Sequence, residues 1–256
     1  MKNKEQNYLD LLKKGEYRGK ILITSDIHKD ISQLEKISKN ASKNGANIAI
    51  DLGDLDILPD DDNAKLEDYQ NSYDSIVKKN GLNAGLTLIE IAGLKNDKIR
   101  DELKDMNIDS YLNDDKILAS HFINYDSNLG ERFALNFGSP DSINYYKYDK
   151  EKFEKFLDER KNMPILILKG HDHRSFITEK IDGNYKLKSI SSNVNNPLAE
   201  LSPYEKYDGE HNINFIEKNE KATIKITEPG LYIINPGNAR CTLLDIQDKK
   251  YTLEFK

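Results

Sequence analysis

The chain of 256 residues carries a single cysteine, Cys241, so no internal disulfide framework is available and a reducing compartment is the expectation. Long apolar runs are missing too. The longest, residues 86–94, is interrupted by Glu90 and falls well short of the ~18 residues that span a bilayer. The first twenty residues are polar and charged, without an apolar stretch of signal-peptide length. Segments rich in Gly, Pro or Ser that would act as linkers are absent, as are internal repeats, which argues for one domain over residues 1–256, with 1–19 as an N-terminal helical extension. Excess positive charge is lacking as well: the net charge is −6 and the pI about 5.5. That balance disfavours duplex nucleic acid, which is usually held by a basic surface. Runs such as 218–225 read as solvated faces. These absences point to a cytoplasmic protein with no membrane association, and to a small phosphorylated substrate, nucleotides included, as an admissible partner.

What is present is an alternation of short apolar runs and amphipathic stretches through the first half, the pattern of an α/β domain. Residues 21–24, 47–52, 86–92, 117–120 and 164–168 read as strands. Asp30 is placed to cap a helix whose apolar face is Ile31, Leu34, Ile37 and Ala41. Leu66, Tyr69, Tyr73, Ile76 and Val77 give a second helical face, and residues 97–106 and 150–161 two more helices. Beyond His173 helical periodicity fades. Short β-type runs follow at 176–181, 185–190, 222–226, 231–234, 242–246 and 251–255, interrupted by a polar loop at 191–212. The expectation is a mixed sheet followed by a mainly antiparallel sheet packed against it.

The chemistry-bearing residues stand just past strand ends, where sites form in open α/β sheets. Residues 21–24 lead into Asp26-Ile27-His28, and 47–52 into Gly53-Asp54. Residues 117–119 lead into Ser120-His121, and 164–168 into Gly170-His171-Asp172-His173. Four of the five histidines lie in these positions; His211 does not. Imidazole and carboxylate together suit Zn, Mn and Fe, whereas Mg and Ca prefer oxygen shells. In an extended segment, Asp26 and His28 would share a face, as would His171 and His173. Gly53 and Gly170 would permit the tight turns before Asp54 and His171. Taken singly, each motif has an ordinary reading: a helix cap, a turn, a satisfied polar histidine. Four together, each at a strand end, favour a metal site.

The order Asp-x-His, Gly-Asp, His, Gly-His-x-His resembles the calcineurin-like metallophosphoesterase superfamily. Asn235-Pro236-Gly237-Asn238, with the strand beginning at Cys241, is similar to a late turn in its small bacterial phosphodiesterase branch. The resemblance covers roughly residues 20–255. It implies a four-layer α/β/β/α sandwich of two mixed sheets flanked by helices, and hydrolysis of phosphate mono- or diesters at a binuclear centre of Mn, Fe or Zn with a bridging hydroxide as nucleophile. It implies a first metal held by Asp26, His28, Asp54 and His173, and a second held by the shared Asp54 with His121 and His171. The family also has a Gly-Asn-His motif after the third strand; aligned on Gly93, this chain has Leu94 and Lys95 there. Leucine cannot ligate a metal, and only an irregular slip of the loop would bring Asn96 or Asp97 into its place. Two readings stand for Lys95: an ammonium that stabilises phosphoryl charge, or a solvent-facing residue in a catalytically impaired protein. Arg174 is either a phosphate contact or a surface residue. The segment 127–140, with Arg132, Phe133 and Phe137, is either a roof over the site or a structural loop. The competing function is a scaffold of the same fold that docks partner proteins.

Overall fold

The structure, a computed structural model, describes residues 8, 11, 16–53, 55, 66–87, 117–120, 122–126, 132–136, 162–170, 173, 175–178, 213–217, 220–238, 240–247 and 250–256. Within them the aliphatic runs form strands as the pattern demands. β1 (Gly19–Thr24) and β2 (Ala46–Asp51) become fully buried toward their carboxyl ends. The helix between them, α1 (Ile31–Lys43), starts where the Asp30 carboxylate accepts the Gln33 amide at 2.9 Å. Leu34, Ile37, Ser38 and Ala41 are its buried stripe. Ile31, expected on that face, is instead 40% exposed. At 3.6 residues per turn it stands about 70° from the centre of the stripe, beyond its edge. A second helix, α2 (Leu66–Lys79), leads into β3 (Ala84–Thr87), which begins two residues earlier than the apolar run suggests.

The remaining strands are β4 (Ile117–Ser120), β5 (Phe122–Asp126), β6 (Arg132–Asn136), β7 (Pro164–Lys169), β8 (Ser175–Thr178), β9 (Ile213–Ile216), β10 (Ala222–Ile226), β11 (Gly230–Pro236), β12 (Thr242–Gln247) and β13 (Lys250–Phe255). One six-stranded sheet has the order β10-β13-β12-β1-β2-β3, and a five-stranded sheet the order β4-β7-β11-β8-β9. In the first, β1, β2 and β3 run parallel while β12, β13 and β10 add antiparallel strands. In the second, β4, β7 and β11 run parallel, with β8 and β9 added antiparallel. Strands β5 and β6 pair as a separate hairpin, of which β6 falls within the segment 127–140 expected to be a roof or a loop and β5 precedes it.

This overturns the expectation of an early sheet followed by a late one. Late strands are distributed to both sheets, because β12 supplies the antiparallel neighbour of β1 while β11 continues the parallel set of β7. Strand β9 is a further departure: the four residues Ile213–Ile216 alternate too briefly to be separated from the polar run before them.

One core lies between the sheets. It joins Ile21, Ile23, Ile48, Ile50 and Leu244 of the first to Leu166, Leu168, Ile177 and Ile234 of the second. The other face of the first sheet packs Leu22, Ala49 and Leu243 against Leu34, Ile37, Tyr69, Tyr73 and Val77 of the helices. Three layers, helix, sheet and sheet, are thus present among the described residues. The expected helices at 97–106 and 150–161 lie outside them, as do the strand at 185–190, the loop at 191–212 and the continuation of β3 to residue 92. No helix among the described residues is long and apolar enough to cross a membrane.

Candidate metal centre

One parallel pair in each sheet ends in register: Thr24 of β1 opposite Asp51 of β2, and Ser120 of β4 opposite Lys169 of β7. The four strand ends expected along one edge belong instead to two sheets packed face to face, and the group Asp26, His28 and His173 is assembled across the sandwich. Past the end of β1, the backbone does not stay extended as expected. Asp26 (φ 56), His28 (φ 46) and Lys29 (φ 66) are left-handed, and so is His173 (φ 54) beyond β7. These four are the non-glycine residues with positive φ among the described residues. Such conformations cost of order 1 kcal/mol or more each and persist where surrounding bonds over-determine them. They fall on the two segments that carry Asp26, His28 and His173.

Those turns bring three side chains together. Nε2 of His28 lies 3.0 Å from Nε2 of His173, and Nε2 of His173 lies 3.4 Å from Oδ1 of Asp26. One ligand atom from each of the three residues falls within 4.8 Å of the others. Asp26 is wholly buried, while the two imidazoles are exposed, their ring centroids 4.8 Å apart. Two ligands each about 2.1 Å from one ion stand about 3.0 Å apart at an angle near 90°, and about 3.4 Å apart near 110°. Each of these two separations, taken singly, matches a pair of ligands on one cation, and two imidazoles with a carboxylate are a donor set for Zn, Mn or Fe.

Of the other expected site residues, Asp54, His121, His171, Lys95 and Arg174 lie outside the described residues. What surrounds some of them is described. The Asp26 amide donates to Gly53 O at 3.0 Å, the Lys29 amide to Leu55 O at 3.3 Å and the Leu52 amide to Thr24 O at 2.8 Å. Residues on both sides of position 54 are thus stitched to the segment that carries Asp26 and His28. Gly53 takes φ 121, a value that favours glycine, as the Gly-Asp turn required; Gly170 is not among the positive-φ glycines.

Several supporting residues escape a reading of the sequence. Ser25 Oγ donates to Asp26 Oδ2 at 2.5 Å. Asp51, wholly buried, accepts from Thr24 Oγ1 at 2.6 Å and from the Gly53 amide at 2.9 Å, and the Tyr73 hydroxyl lies 3.1 Å from Thr24 Oγ1. Burial, and then the Asp51 charge, push the Tyr73 hydroxyl pKa well above its usual value. A carboxylate ending the apolar run Ala46–Asp51 is the available signal. On the other side Asn235, also wholly buried, donates through Nδ2 to Gly170 O at 2.9 Å and accepts the Gly237 amide at 2.8 Å.

No family model matches the chain, and no curated protein matches it. Among solved structures, a conserved uncharacterised protein of Streptococcus pneumoniae TIGR4, described as a predicted phosphoesterase, is similar at 13% identity and a TM-score of 0.32, over 93% of this chain and 89% of that one. The protein TT1561 of Thermus thermophilus is similar at 17% identity and a TM-score of 0.38, over 93% of this chain and 98% of that one. Likeness at this level is too shallow to carry a conclusion about activity.

Proposed function

We propose that this chain is a metal-dependent hydrolase of phosphate mono- or diesters, built as a four-layer α/β/β/α sandwich. The observation that carries the reading is the convergence of Asp26 and His28 from one sheet with His173 from the other. In this reading Asp26, His28, Asp54 and His173 hold one divalent ion, and Asp54, His121 and His171 a second, drawn from Mn, Fe or Zn. The backbone ties flanking position 54 and the register of β4 with β7 support that assignment. A bound pair of such ions lowers the pKa of water and neutralises phosphoryl charge. The protein's own part is to hold the ligands in place and to receive a small phosphorylated substrate, nucleotides included. Leu94, standing where a second-ion ligand is expected, leaves that ion fewer protein ligands and a weaker hold; Lys95 and Arg174 are the residues for phosphate oxygens.

Metal analysis of the purified protein, with a phosphatase and phosphodiesterase substrate panel in Mn²⁺, tests the reading. Bound transition metal is expected, with hydrolysis of at least one ester class, and both Asp26→Ala and His173→Ala should lose most of the metal and the activity. Full metal content in both variants, or no hydrolysis anywhere on the panel, would overturn it.

A further inference from the structure

His173 sits in left-handed backbone at φ 54 on a segment of which β7 is one anchor and β8 the other. Such a conformation needs to be held from outside the segment. The turn after β11 makes the bonds that do so. The Asn235 side chain reaches Gly170 O at 2.9 Å, three residues before His173. Ser175 Oγ, two residues after it, donates to Pro236 O at 2.8 Å. Between these, the Asn238 amide donates to the carbonyl of His173 itself at 3.4 Å. Asn235 also closes its own turn through the Gly237 amide, so that one buried amide fixes both the brace and what it braces. Behind Ser175 the guanidinium of Arg240 contacts Ser175 Oγ at 3.3 Å and donates to the carbonyls of Ile216, Glu217 and Glu220. Thr242 Oγ1 adds a second donor to Pro236 O at 3.2 Å.

We infer that the turn Asn235-Pro236-Gly237 is the positioning element for His173, locked by the Asn235 amide before it and the Ser175 hydroxyl after it. The bonds that tie Asn235, Ser175 and Asn238 to this segment run to backbone carbonyls rather than to the ligand atoms. They act by keeping the His173 backbone in the conformation that presents its imidazole to Asp26 and His28. The inference rests on the metal-site reading. A bond that merely supports the fold would alter stability and leave the cation site unchanged. A bond that positions a ligand alters affinity and ligand geometry, at a typical cost of about 10–100-fold in affinity.

The test titrates wild type, His173→Ala, Asn235→Ala and Ser175→Ala with Co²⁺ alone, following the visible absorption bands, with thermal unfolding of each metal-free protein alongside. Asn235→Ala is expected to bind Co²⁺ about 10–100-fold more weakly and with shifted bands. Ser175→Ala removes one oxygen and little packing, and is expected to weaken binding several-fold in a protein that still folds. It decides the matter if Asn235→Ala does not fold. Wild-type affinity and spectrum in the folded variants, with only the unfolding temperature lowered, would overturn the inference and leave the metal site standing. Absence of Co²⁺ binding by wild type, or binding undiminished in His173→Ala, would overturn the metal-site reading and this inference with it.

Discussion

The two halves of the site are held by different chemistry. On the six-stranded sheet, Asp26 and the turn at Gly53 rest on a buried carboxylate, Asp51, which gathers Thr24 Oγ1 and the Gly53 amide, with Tyr73 behind it. On the five-stranded sheet, the direct bonds to the His173 segment come from neutral groups, the Asn235 amide and the Ser175 hydroxyl, with the Arg240 guanidinium one contact further back. A buried charge has long reach and is expensive to leave unpaired; neutral amides hold by direction and cost less to lose. The first half should therefore be the more brittle in stability, and the second the more sensitive in geometry.

The largest effect expected from breaking this contrast is at Asp51. In Asp51→Ala, the Thr24 hydroxyl and the Gly53 amide lose their carboxylate partner in a site closed to water. The expected cost is about 3 kcal/mol, from two buried donors whose charged acceptor is gone. Asp51→Asn keeps the shape and one acceptor oxygen, so about half that loss is expected. Urea unfolding of the metal-free proteins measures both. If Asp51→Ala costs no more than Ser175→Ala, the two halves do not differ in the way described.

The same contrast explains what is legible in the sequence. Asp26, His28 and His173 can be read because ligand types recur at strand ends, and a strand end is visible wherever an aliphatic run such as Ile21–Ile23 stops. That Asp26 and His173 come from different sheets is not legible. Strand pairing is decided by which edge remains open after the sheets form, and nothing local to Thr242–Gln247 says that it lies beside β1. The left-handed turns are equally hidden: Asp and His enter positive φ more readily than most residues, yet nothing local to Asp26, His28 or His173 says that they do so. Asn235 is visible only through resemblance to a known turn. An amide that bonds a carbonyl 65 residues away leaves no local pattern.

A smaller effect is expected where the helix layer meets the edge of the first sheet. A Cβ on Gly85 of β3 would stand 2.6 Å from Val77 Cγ2 and 2.9 Å from Tyr73 Cδ1. These are neighbours on α2, and the same helix ties the strand through Gln70 Nε2 to Gly85 O at 2.7 Å and Asp74 Oδ1 to the Gly85 amide at 2.8 Å. The helix cannot retreat without stretching those bonds. Gly85→Ala should cost about 2 kcal/mol by overpacking. Because Tyr73 is displaced, it should also loosen the Thr24–Asp51 cluster and leave the Asn235 side untouched. Unfolding midpoints in urea, with Co²⁺ affinity as the second readout, check this. A neutral substitution would mean that α2 rides loosely on β3 and that Tyr73 is not part of the support.

The smallest effect separates the two cores by pH. Cys241 packs in the core beneath the helices, where burial pushes its thiol from 9.0 up to about 11. Tyr17 packs in the core between the sheets, where burial pushes its hydroxyl from 10.0 up to about 12. In both, the folded state favours the neutral form, so the unfolded chain gives up its proton first. Stability from these groups is intact below their unfolded pKa values and is lost as pH rises through the window to the folded ones. That window runs from 9.0 to about 11 for Cys241, and from 10.0 to about 12 for Tyr17. Between about pH 8 and pH 10 the thiol should account for a loss of about 1 kcal/mol, and the hydroxyl for less, because its window opens one unit later. Cys241→Ala, though less stable at pH 8 for want of a buried sulfur, should show a flatter decline to pH 10 than wild type, whereas Tyr17→Phe should follow wild type up to about pH 9 and flatten only beyond it, by less than Cys241→Ala at pH 10. Parallel declines for wild type and Cys241→Ala, measured by urea unfolding at matched ionic strength, would place the alkaline sensitivity elsewhere in the molecule and remove the helix-side core as its first point of failure.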